Sequence, residues 1–179
     1  MTQKSRTAVL IIDLQTGMMD GAKIPALPDH TQLLEKAQAL IDWSRAEGHP
    51  LIFVRHDGAA GDVLEPGSPG WPLHPALGRR EDEPIVSKSV GDAFEETDLA
   101  ASLRAQGVEA LVLAGAQTDE CVAATVAGAL KHGFKVRVAS DAHGTWDWGG
   151  ETAAQKIARY NVLFAEAGAV VEPTAAVVG

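Results

Sequence analysis

The chain has a single cysteine among 179 residues, Cys121, so no internal disulfide can staple it. A lone thiol fits a reducing compartment, and the expected localisation is cytoplasmic. Basic runs are also missing. Asp and Glu number 24 against 15 Lys and Arg, a formal net charge of -9, which argues against a surface that tracks nucleic-acid phosphates. Nor is there a long apolar run. Residues 1–6 are polar, and the apolar stretch after them is interrupted by Asp13, so neither a signal peptide nor a membrane span is expected. There is no internal repeat and no low-complexity tract. No G-x-G-x-x-G follows the first apolar run, which argues against a dinucleotide site.

What the sequence does contain is an alternation of short apolar runs with longer amphipathic ones. With 46% hydrophobic and 22% charged residues, 179 residues suit one compact domain, here taken as 1–179, that buries about 70% of its unfolded surface. Thr7 to Asp13 reads as a central strand, apolar on both faces. Leu33, Leu34, Ala37, Leu40, Ile41 and Trp43 fall at helical spacing between about His30 and Gly48. Strands are then expected at Leu51 to Val54, Pro84 to Lys88, Leu111 to Ala114, Lys135 to Ala139 and Ala169 to Val171. Helices are expected after Thr97, after Thr118 and between Gly150 and Gly168. The expected fold is α/β and three-layered, with a six-stranded, mostly parallel sheet and helices on both faces. The Gly- and Pro-rich stretch from Asp57 to about Glu83 is too long for a passive connection, and reads as an ordered lid or active-site loop.

In an open parallel sheet, ligands bind beyond the carboxyl ends of the strands. Asp13, His56, Lys88, Cys121, Asp141 and His143 all fall at such ends in this reading. Thr118 is placed as the N-cap of the helix that carries Cys121 in its first turn. Unpaired N–H groups and the helix dipole there favour a thiolate. Each residue has a plainer reading. A lone cysteine is commonly a small buried hydrophobe, and a strand-end lysine is commonly solvated. The convergence of an acid, a lysine and a thiol on one edge favours chemistry.

Gly115-Ala-Gln-Thr-Asp-Glu-Cys-Val122 resembles the G-x-x-T-D-x-C-V signature of the isochorismatase-like cysteine hydrolases, a superfamily that includes nicotinamidases, N-carbamoylsarcosine amidase and streptothricin-hydrolase-like proteins. Val9 to Gln15 resembles the family's first-strand motif, Glu65 to Pro75 its Gly-rich loop, and Ser87 to Phe94 with Thr97 its lysine segment. The resemblance implies Cys121 as nucleophile, Asp13 as general base and acid, and Lys88 beside both. It also implies a cis peptide between Ala116 and Gln117, and an oxyanion hole from the backbone N–H groups of Gln117 and Cys121. The reaction implied is hydrolysis of a C–N bond in a small amide, carbamoyl or lactam substrate through a thioester, with no cofactor.

Metal-dependent nicotinamidases carry an Asp-x-His pattern that this chain lacks, and His56, Asp57 and His74 offer at most a partial substitute. No metal is therefore expected. Isochorismatases proper typically lack the cysteine. Gln15, His56, Trp71, Phe94, His143 and Trp146 are the expected substrate-binding residues. Trp146 and Trp148 face either the pocket or a subunit interface. Expected partners are a small-molecule substrate and further copies of the chain, as a homodimer or homotetramer, with no nucleic acid and no membrane. The competing readings are a catalytically silent binding protein on the same fold and a redox sensor, the latter disfavoured by the lack of a resolving cysteine.

Overall fold

The computed structural model describes residues 6–179, so the polar stretch 1–5 lies outside the described residues. Six strands form one sheet: β1 (Arg6–Ile12), β2 (Leu51–His56), β3 (Ile85–Lys88), β4 (Val108–Ala116), β5 (Lys135–Gly144) and β6 (Val170–Glu172). Their order is β3-β2-β1-β4-β5-β6, and all five pairings are parallel. The helices are α1 (His30–Glu47), α2 (Leu99–Ala105), α3 (Ala123–Lys131), α4 (Ala153–Glu166) and α5 (Thr174–Val178).

The strand pattern explains the layering. Along β1, Ala8, Leu10 and Ile12 face a core shared with α2, α3 and α4, whereas Val9 and Ile11 face α1 and α5. All five are fully buried. Each large side chain so placed is worth about 1.5–3 kcal/mol over an exposed one, so a strand apolar on both faces settles in the middle of the sheet. α1 ends where Gly48 adopts φ 68 and its N–H bonds back to Arg45 and Ser44, the left-handed cap that glycine takes without penalty.

Three features depart from expectation. β4 and β5 run several residues further than their apolar runs, because pairing resumes after a register shift and joins Gly115 to His143 and Ala116 to Gly144. Asp141 and His143 therefore lie within β5 rather than after it. α5 was not foreseen; it is short, and Val177 gives it an anchor in the α1 layer. Thr118 is not an N-cap. The chain between β4 and α3 makes a wide turn over Thr118–Val122, in which the Val122 N–H bonds to Gln117 O at 3.0 Å, and Thr118 makes no capping bond.

The order reverses between β1 and β4: successive strands step outward from β1 on one side and from β4 on the other. That is the point where an open parallel sheet leaves a crevice beyond its carboxyl edge. Gly115 keeps the crevice tight. Its φ is 141, and a Cβ there would stand 2.1 Å from Ile12 O, so only glycine lets the end of β4 close on β1 beside Asp13. The stretch after β2 is held by Trp71, whose Nε1 donates to Asp57 Oδ1 at 2.8 Å while Arg55 stacks on its ring.

Candidate active site

Asp13 ends β1 with a left-handed backbone (φ 51) and its N–H on Val54 O, a conformation that aspartate tolerates better than most residues. Lys88 ends β3, two strands away. Its side chain is fully buried, and its Nζ donates to Asp13 Oδ2 at 2.7 Å, to Cys121 Sγ at 3.2 Å and to Val90 O at 3.1 Å. His56 Nδ1 is 3.3 Å from the same nitrogen. Thus the acid, the lysine and the thiol meet around one ammonium. Asp13 and Cys121 border a cavity of about 420 Å³ whose wall also includes Gln117, His56, Met18 and Trp146, whereas the fully buried Lys88 side chain is not on that wall.

Asp13 is 2% exposed, and its Oδ1 is buried without a hydrogen-bond partner among the described residues. A buried carboxylate oxygen is costly to leave idle. An Asp13 carboxylate oxygen, a His56 ring nitrogen and Cys121 Sγ lie within 4.8 Å of one another, so the carboxylate stands beside the thiol. Burial pushes the Cys121 thiol up, and the Asp13 charge pushes it further. Lys88 pulls it down by less, and the thiol stands at about 12. This direction runs against the expected thiolate, because burial and the Asp13 charge both favour the protonated sulfur. The bond between Ala116 and Gln117 is cis. Val122 closes the first wide turn, so the Cys121 N–H lies ahead of the helical ladder, where orphan donors are found.

The expected substrate-binding residues divide. His56 and Trp146 border the cavity, and Trp146 Nε1 donates to Pro25 O at 2.8 Å. Trp148 is 79% exposed. The other four lie off the cavity wall. Gln15 is fully buried and ties the ends of β1 and β2 to the loop: its Nε2 donates to His56 O and Trp71 O, and its Oε1 accepts the His56 N–H. Trp71 is occupied by Asp57 and Arg55. Phe94 is buried against Phe134 and His132 in the α2–α3 layer. His143 is buried behind the turn that carries Cys121, bonded to Thr118 Oγ1 and Asn161 Oδ1 at 2.9 Å each. Burial pushes its imidazole down against the Asn161 bond. Asn161 Nδ2 donates to Ser140 O, so Oδ1 must accept from Nε2–H, and the Thr118 hydroxyl donates to Nδ1. Asp57 and His74 do not join His56 around a common point. Asp57 accepts from Trp71, and His74 Nδ1 accepts the Ala76 N–H.

Sequence reading missed one arrangement next to the thiol. Asp119 accepts from Lys156 Nζ on α4 at 2.8 Å and from Thr145 Oγ1 after β5 at 2.5 Å. Burial pushes the Asp119 carboxyl up, but the Lys156 and Thr145 bonds outweigh it and hold the group below its ordinary value. The signal available was Lys156 itself, a charge on the inward side of an amphipathic helix with 5% exposure.

Comparison with known proteins agrees with this architecture. The isochorismatase domain family model matches residues 7–172. A streptothricin hydrolase from Streptomyces noursei is 37% identical over 140 residues, covering 78% of this chain and 50% of its own length. The chain thus spans about half the length of the streptothricin hydrolases it matches. Nicotinamidase from Escherichia coli is 28% identical, covering 75% of this chain and 81% of its own. A crystal structure from Oleispira antarctica, assigned to the isochorismatase hydrolases, superposes with a TM-score of 0.91 at 31% identity and covers 99% and 98% of the two chains. With six parallel strands in this order and a family match over nearly its whole length, the chain belongs to the isochorismatase family.

Proposed function

We propose that the protein is a cysteine-dependent hydrolase that cleaves a C–N bond of a small amide, carbamoyl or lactam substrate. The observation that carries this reading is the Lys88 ammonium held between Asp13 Oδ2 at 2.7 Å and Cys121 Sγ at 3.2 Å, two residues that line a substrate-sized cavity. Relatives named as a streptothricin hydrolase and a nicotinamidase support the class of bond.

In acylation, Cys121 gives its proton to Asp13 as the sulfur attacks the carbonyl carbon. A thiol that stands at about 12 requires this transfer to accompany attack rather than precede it. The oxyanion is met by the N–H groups of Gln117 and Cys121, donors of a kind commonly worth about 2.7–4 kcal/mol each. Collapse expels the nitrogen, which takes the proton from Asp13, and leaves a thioester on Sγ. In deacylation, water gives a proton to Asp13 and attacks the thioester. The carboxylic acid is released, and the proton returns to sulfur. Before each transfer Lys88 faces the Asp13 carboxylate; as the proton moves, the negative charge passes to the oxyanion and, when the thioester breaks, to the departing sulfur.

A thiol raised by burial is a poor target for peroxide, which selects exposed thiolates, so the redox-sensor reading loses ground. The test is an ammonia- or amine-release screen over small amides, carbamoyl compounds and lactams, with Cys121→Ala as control and mass spectrometry of the intact chain. The expected result is turnover by the native chain, an acyl adduct on Cys121, and a folded, silent variant. Turnover by C121A at the native rate would overturn the assignment.

A further inference from the structure

Two consecutive residues of the nucleophile turn are bonded to the same outside elements. Thr118 donates to His143 on β5, which bonds Asn161 on α4, and Asp119 accepts from Thr145 after β5 and from Lys156 on α4. The Lys156 side chain is 6% exposed and that of Asp119 is 17% exposed. A buried ion pair contributes little to net stability compared with an apolar pair of similar volume, and its best-attested use is to fix a register. Here the register is that of a five-residue turn with Cys121 two positions after Asp119. α4 is itself firmly started, because Thr152 and Gln155 form a reciprocal capping box. The lysine therefore stands on a rigid element rather than on a loop.

We infer that Lys156 is a positioning residue for Cys121, acting through Asp119 to hold the nucleophile turn against β5 and α4. The inference rests on the reading of Cys121 as the nucleophile. It assigns α4, which contributes nothing to the cavity wall, a part in the reaction. If Lys156 is removed, Asp119 keeps its carboxylate in a half-buried site with Thr145 as its remaining side-chain donor. The turn must then shift to reach water, and its negative charge is no longer balanced beside the sulfur. Displacement by about 1 Å is enough to cost on the order of 100-fold in a positioned reaction. The groups facing the sulfur itself, Asp13, Lys88 and His56, are untouched by the change.

The test compares Lys156→Met, Lys156→Arg and the double variant Lys156→Met/Asp119→Asn with the native chain, each below its own melting transition. Two readouts are taken: the rate of Cys121 alkylation by iodoacetamide, and kcat and KM on whichever amide the screen identifies. K156M is expected to lower kcat by about 10- to 100-fold with KM nearly unchanged, and to slow alkylation. K156R should retain most of both rates, and the double variant should recover part of the alkylation rate by removing the stranded carboxylate. A folded K156M with native alkylation and native kcat would overturn the inference, as would a loss confined to KM. Alkylation needs no substrate, so it judges the positioning role even if no amide is hydrolysed.

Discussion

Replacing Asp13 by Asn should make Cys121 more reactive toward a simple alkylating agent while abolishing hydrolysis, and the opposed signs make the experiment decisive. In the native site the sulfur lies between opposite charges. Lys88 Nζ is 3.2 Å away, and an Asp13 oxygen is within 4.8 Å. Burial then adds to the Asp13 effect and leaves the thiol at about 12. At that separation and an effective dielectric constant of about 20, one unit charge is worth at least about 3.5 kcal/mol. Its removal therefore lowers the thiol by about 2.5 pH units, taking about 1.36 kcal/mol per unit. The thiolate fraction near neutrality would rise by about 300-fold, but a less basic sulfur is a weaker nucleophile. With a Brønsted coefficient of about 0.45, the net gain in alkylation is roughly 20-fold. The assay is the iodoacetamide rate of D13N against the native chain, followed by mass, together with the pH dependence of thiolate absorbance for both. Hydrolysis should fall to background because no group remains to carry the proton to the leaving nitrogen. A folded D13N that alkylates no faster than the native chain, or a native thiolate band that titrates near the ordinary thiol value, would refute the reasoning.

Two further predictions follow from buried groups. Lys88→Met strands Asp13, which is 2% exposed, and should cost about 3–5 kcal/mol of stability, the range for breaking a buried pair; urea unfolding reads this, and a loss under about 1 kcal/mol would mean that Asp13 finds other partners. His143→Gln tests the sign of a buried imidazole. Burial holds the folded group below its unfolded value of about 6.5, so as pH falls through that value the unfolded chain binds a proton that the folded chain refuses, and stability drops by up to about 1.4 kcal/mol per pH unit. The fall in urea midpoint between about pH 7 and about pH 5.5 should therefore be shallower in H143Q, even with Asp141 nearby favouring the charged form, and an unchanged slope would contradict the neutral assignment.

Legibility in the sequence followed the reach of each physical signal. Periodicity is local, so α1 and every strand start except that of β4, which begins three residues before Leu111, were read to within a residue, and the strand ends carried Asp13 and Lys88 to one edge. Facing is not local. Phe94 and Trp71 lie close in sequence to site residues but turn to His132, Phe134, Asp57 and Arg55, partners whose proximity depends on packing. Gln15 shows the same effect, because its three side-chain hydrogen bonds are to backbone atoms of His56 and Trp71, 41 and 56 residues away. The thiol was misjudged for a reason of magnitude. A helix mouth offers at most about 2 kcal/mol to an anion, whereas burial and a full charge on Asp13 oppose ionisation by more. The cap was misjudged because the Thr118 hydroxyl has a better partner in His143 than the N–H groups of its own turn.

Why the centre of this site should be an ammonium follows from the donor set around it. Asp13, His56 and Cys121 bring a carboxylate, an imidazole and a sulfur within 4.8 Å of one another, the ligand types that zinc accepts. Lys88 Nζ already stands among them, within 3.3 Å of an atom of each. A divalent ion in that position would deprotonate the thiol outright and keep the resulting thiolate as a ligand, holding a sulfur that the proposed reaction needs free. An ammonium is a weaker and more mobile claim on the same charge. It already hydrogen-bonds both the Asp13 carboxylate and the Cys121 sulfur, so under the proposed mechanism it can follow the negative charge from one to the other with no bond to break. One positive charge on a buried lysine thus offsets the negative charge of the site, and under the proposed mechanism it leaves the sulfur free to reach a substrate carbonyl.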